Sequence, residues 1–76
     1  MADNIRQVEH FRDLSIAELG NIKAIGEYLK TEKKDDPNLD YQLMTVSYGQ
    51  HVNSAILNWC NETLSQLRKM VDEKGT

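Results

Sequence analysis

From Asp36 to about Glu73, apolar residues recur at spacings of three and four, the periodicity of a helix rather than a strand. One line through this stretch reads Leu43, Val46, Gln50, Asn53, Leu57, Cys60, Leu64, Leu67, Val71. A second reads Tyr41, Met44, Tyr48, Val52, Ile56, Trp59, Thr63, Met70. Together they cover more than the roughly 100° stripe that a surface helix needs. The pattern predicts a single helix with two apolar faces, about 54 Å long at 1.5 Å per residue. Gln50 and Asn53 interrupt the first line, where polar residues either fix register at some cost in stability or mark an exposed turn.

Upstream, Met1 to Asn4 is expected to fray, and Ile5, Val8 and Phe11 predict two turns of a short leading helix with Phe11 as its anchor. Ser15-Ile16-Ala17-Glu18 has the form of a capping box, with Leu14 and Leu19 placed as a hydrophobic staple. A cap of this kind stabilises a helix start by about 0.5–2 kcal/mol, so a break near Leu14 is expected. The alternative is one continuous helix from Asn4. The next helix runs from about Ile16 to Lys34, with Leu19, Ile22, Ile25 and Leu29 as its stripe and Tyr28 beside it. Gly26 falls on that stripe, where a missing side chain permits close approach of another helix; Gly20 has no such reason.

Asp35-Asp36-Pro37-Asn38 is the turn. Asp36 suits an N-cap, Pro37 the first helical position, and Asp40 the first turn of the helix that follows. Pro37 also biases Asp36 away from helical geometry, which separates the two helices and makes them antiparallel neighbours. Lys30, Lys33 and Lys34 complement the dipole at the end of the preceding helix. Gly75 is expected to terminate the chain's last helix.

Composition narrows the function classes. With 76 residues the chain is one small domain, 1–76, and such domains recruit disulfides, metals or oligomers for stability. Its one cysteine excludes an internal disulfide, and two separated histidines do not make a zinc site. Oligomerisation is the device that remains. The net charge of −3 disfavours direct nucleic-acid binding. No apolar run reaches the ~18 residues of a membrane span and no signal-peptide pattern follows Met1, so a soluble, cytoplasmic protein is expected.

Candidate chemistry is sparse. Cys60 lies between Leu57 and Leu64 without a helically spaced base, as a small buried hydrophobe does. His10 and His51 stand alone, and the acid pairs Asp35/Asp36 and Asp72/Glu73 sit at helix ends. No phosphate loop, cofactor motif or metal set is present, and no enzymatic activity is expected. Trp59 is the residue most suited to an interface, because tryptophan is enriched at binding hot spots.

Tyr48-Gly49 followed by Ala55, Leu57 and Trp59, with Leu43 to Ser47 leading in and Leu64 and Leu67 beyond, resembles the C-terminal dimerisation helix of PadR-like transcriptional regulators. Phe11 to Leu19 is similar to the segment that leaves the DNA-binding domain in that family. The resemblance spans Phe11 to Leu67 and implies the dimerisation module without its winged helix. It also implies that Trp59 could stack on a planar aromatic ligand; Tyr48 and Val52, on the same helical line, are the further candidates for such a site.

The expected architecture is therefore all-α: an antiparallel helical hairpin with a short leading helix, pairing into a four-helix-bundle-like homodimer. The expected partner-binding residues are Leu57, Cys60, Leu64, Leu67 and Val71. The expected function is a non-enzymatic, transcription-related regulator, with no cofactor, acting through a second copy or a PadR-like protein. Two alternatives are a small phage- or plasmid-encoded inhibitor of a host machine and a dimeric sensor of planar aromatics.

Overall fold

The computed structural model describes residues 2–75, which form two helices joined by a short turn: α1, Ala2–Glu32, and α2, Leu39–Gly75. They pack antiparallel into a rod of 61 × 14 × 13 Å. Among the described residues there is no strand. The helical hairpin expected from the periodicity is what forms.

The seam between the helices follows a 3.5-residue repeat. On α1 the seam positions are Ile5, Val8, Arg12, Ser15, Leu19, Ile22, Gly26 and Leu29, alternating steps of three and four, with Glu9 partly covered on one flank. On α2 they are Leu39, Gln42, Val46, Gly49, Asn53, Ile56, Cys60, Thr63 and Leu67, with Leu43, Ser47, Leu57 and Leu64 on one flank. This spacing keeps one stripe facing its neighbour along a slight left-handed coil. Among the described residues the buried apolar side chains are Ile22, Cys60 and Leu64, of which Cys60 and Leu64 are fully buried.

The leading helix is not separate. α1 passes without interruption through the Ser15 capping box, and Ser15 is itself a seam residue, 5% exposed. Two terms compete at this point. A break at Leu14 would gain a cap worth about 0.5–2 kcal/mol. Continuing the helix lays Ile5 and Val8, both partly covered, against α2; full burial would contribute about 1.5–3 kcal/mol for each, so partial burial of the two is on the scale of the cap. No proline or glycine stands between Phe11 and Leu19 to force the issue, so packing prevails. Leu14 is exposed rather than stapled. The second consequence concerns length. At 31 residues against 37, α1 runs along most of α2 rather than only from about Ile16 onward.

The turn behaves as its residues dictate. The Asn38 N–H donates to Asp36 Oδ1 at 2.8 Å, the bond of an N-cap aspartate, and the Leu39 N–H donates to the Asp36 carbonyl at 3.1 Å. The opening turn is tighter than α-helix, which places the start of α2 at Leu39 rather than Asp36. At the other ends, α1 is helical from Ala2, so Ala2–Asn4, expected to lie outside a helix, is part of it; Met1 lies outside the described residues. Gly75 is the last helical residue rather than a terminator beyond the helix.

Two of the glycines set the spacing of the helices. A Cβ on Gly49 would stand 3.0 Å from Ile22 Cδ1, and one on Gly26 would stand 3.3 Å from Val46 Cγ1. Both let the backbones approach where the seam residue opposite is β-branched. A Cβ on Gly20 would meet nothing within 4 Å. The polar interruptions of α2 differ in their fates. Gln50 is exposed, whereas Asn53 Nδ2 donates to the Gly49 carbonyl on its own helix at 2.9 Å. Neither side chain has a hydrogen bond across the seam.

Candidate functional site

The two sides of the hairpin carry opposite chemistry. A groove of about 180 Å³ marks one side, lined by Lys23, Glu27 and Lys30 of α1 and by Leu43, Ser47 and Gln50 of α2. The ion pair of Arg68 with Glu9, at 3.6 Å, crosses the helices on that same side. Following its phase along α1 gives Arg6, Glu9, Asp13, Ile16, Gly20, Lys23, Glu27 and Lys30, a line in which charges dominate.

The opposite flank of α1 steps through Phe11, Leu14, Glu18, Asn21, Ile25 and Tyr28. On α2 the corresponding flank steps through Tyr41, Thr45, Tyr48, Val52, Ala55 and Trp59. In an antiparallel pair the flanks that do not share the groove must share the other side. The one phenylalanine, one tryptophan and three tyrosines of the chain therefore all lie on one side of the rod. None is covered: Trp59 is 54% exposed, and Tyr41 and Tyr48 are each 72% exposed. Met44 borders the same surface, also exposed. Scattered exposed apolar residues are ordinary, but a contiguous patch on a small protein marks an interaction site.

The residues expected at a partner interface divide between these surfaces. Cys60 and Leu64 are 0% and 1% exposed and present no side-chain surface to a second chain. Leu57 and Leu67 are half-buried along the seam, and Val71 is exposed near the end of α2. From Leu43 to Leu67, Gln50 apart, the apolar line thus contributes to the hairpin's own packing. Tyr48, Val52 and Trp59, by contrast, are open, as a binding role requires. The α1 half of the patch was not anticipated. Ile25 is not part of the covered stripe with Leu19 and Ile22, and Phe11 is not a buried anchor; both are about half exposed. The signal for them was present as a second line, 11, 14, 25 and 28, in the phase of α1.

Among the described residues no group of three or more histidines, cysteines or acids converges. His10 and His51 are exposed, and the Cys60 thiol is free and buried. No helix is long and apolar enough to cross a membrane. Gln42 Oε1 is buried at the seam without a hydrogen-bond partner, a local cost to the hairpin.

One family model matches this arrangement, described as virulence activator alpha C-term and covering residues 1–68. No curated protein and no solved structure matches the chain. The match overturns the assignment to PadR-like regulators drawn from Tyr48, Gly49 and Trp59: the family that fits nearly the whole chain is a different one. Short helical motifs repeat readily, and a Tyr-Gly step ten residues before a tryptophan is too little to fix a family. The matched family is that of a helical domain related to a transcription activator.

Proposed function

The chain belongs to the virulence activator alpha C-terminal family, and on that premise we propose that it is a non-enzymatic assembly domain of transcription control, acting by homodimerisation. The observation that carries this reading is the open aromatic side. The hairpin buries Ile22, Cys60 and Leu64 and leaves every aromatic residue about half exposed or more, and pairing two hairpins is the simplest way to cover them. Its role is then to bring two attached units together. Many DNA-binding proteins read two half-sites related by a two-fold axis, and dimerisation couples the two binding events.

The test joins the chain to a monomeric DNA-binding domain by a flexible linker. Binding to a duplex carrying two half-sites is compared with binding to one half-site. The proposal expects tighter binding to the double site by roughly 10²–10⁴-fold. Equal affinity for one and two half-sites, with the fusion monomeric in solution, would contradict it.

A further inference from the structure

We propose that the turn end of the hairpin, residues 26–46, opens and closes as a unit while the rest of the rod stays shut. Its closure assembles the surface shared by Tyr28 of α1 and by Tyr41 and Met44 of α2. This rests on how the hairpin is packed, independently of the homodimer reading above.

The seam is closed unevenly along its length. Away from the turn it holds Ser15, Ile22, Cys60 and Leu64, all buried, and the ion pair of Arg68 with Glu9 crosses the helices toward the far end. From Glu27 through the turn to Val46 no side chain is buried; Leu29, Leu39, Leu43 and Val46 are only partly covered. The boundary falls at Gly26, where a Cβ would stand 3.3 Å from Val46 Cγ1. A glycine inside a helix lets the backbones approach but also weakens the helix at that point. At this level a groove of about 180 Å³ runs beside the seam, between Gly26 and Lys30 on α1 and Leu43 and Ser47 on α2.

Gln42 sets the balance. One step beyond Gly26 and Val46 toward the turn, the seam brings Leu29 to the level of Gln42, whose Oε1 is buried without a hydrogen-bond partner. A buried acceptor left unpaired forfeits its hydration, and separating the two helix ends returns water to it. Covering Leu29, Leu39, Leu43 and Val46 pulls the other way. Segments with few buried apolar side chains are the ones that open first in a native protein. The turn keeps the opening local: the Asn38 N–H donates to Asp36 Oδ1 at 2.8 Å and ties the two ends together. Tyr28, Tyr41 and Met44 are exposed on the same side of the rod but belong to different helices, so the surface they share exists only when the tip is closed. A ligand or partner that touches both helices there selects the closed state.

The experiment reads amide hydrogen exchange residue by residue on the intact chain, at one protein concentration and a series of low urea concentrations. Labelling of the Cys60 thiol, which is 0% exposed, reports opening of the other half. Amides from Glu27 to Glu32 and from Leu43 to Val46 are expected to exchange roughly 10-fold or more faster than those of Leu19 and Ile22. Their rates are expected to depend little on urea, because little surface is exposed, whereas Cys60 labelling rises steeply. Gln42→Leu removes the unpaired oxygen and is expected to slow exchange in the tip by roughly 5- to 150-fold. If the tip amides and the Cys60 thiol follow one common urea-dependent opening, the rod opens only as a whole and the proposal is overturned. Exchange in Gln42→Leu at the wild-type rate overturns it as well. Should that variant not fold, the urea dependence of the wild type decides.

Discussion

At the scale of single residues, the glycines separate packing from propensity. Gly20 pays the usual helix penalty in open space, so Gly20→Ala is expected to raise stability by about 1 kcal/mol. Gly49→Ala gains the same propensity term but must displace the Ile22 side chain, a contact of 3.0 Å to a buried neighbour. Overpacking of that kind costs about 1–3 kcal/mol, so the two variants should differ by at least about 1 kcal/mol in urea unfolding. Equal gains would mean that the helices are farther apart at Gly49. Leu64→Ala is expected to lose about 2–5 kcal/mol in the same measurement, because the side chain is fully buried. A loss under 1 kcal/mol would place Leu64 outside the core.

At the scale of elements, Ser15 and Asp36 test where the helices begin. Asp36 makes a cap bond, and Asp36→Ala is expected to cost about 1 kcal/mol. Ser15 lies inside α1, so Ser15→Ala should be neutral or stabilising, since alanine is the better helix former. Denaturant midpoints measured side by side check both, and a comparable loss from Ser15→Ala would restore a helix start at that position. The hairpin, its turn residues and the close approach at Gly26 were legible in the sequence because each follows from local chemistry: a proline, a capping aspartate, a gap in a stripe. The continuity of α1 was not. A capping box is a local signal, whereas the gain from laying Ile5 and Val8 on α2 depends on a helix more than thirty residues away. The same blindness misassigned the two apolar lines of α2. Periodicity shows that Leu57, Cys60 and Leu64 share one face and that Tyr48 and Trp59 share another, but not which face meets α1. The covered residues of α1 and the charged groove decide it.

At the scale of the whole molecule, the hairpin is amphipathic as a unit. Its seam consumes one apolar line from each helix and carries Arg12, Ser15, Asn53 and Gln42, with its unsatisfied Oε1, among its covered positions. Such a seam orders two helices but stores little apolar burial. The larger apolar resource is the outer side with Phe11, Trp59 and the three tyrosines, and its burial would turn a marginal pair of helices into a stable bundle. Stability should accordingly depend on concentration, as it does wherever folding and association are linked. The melting temperature is expected to rise with protein concentration, and a concentration-independent value over a hundredfold range would indicate a self-sufficient monomer.

The most direct test is the mass of the intact chain in solution. Sedimentation equilibrium at micromolar concentration is predicted to give twice the 8.7 kDa of one chain, falling toward the single-chain mass only on dilution. A single 8.7 kDa species that remains helical across the whole concentration range would contradict the account.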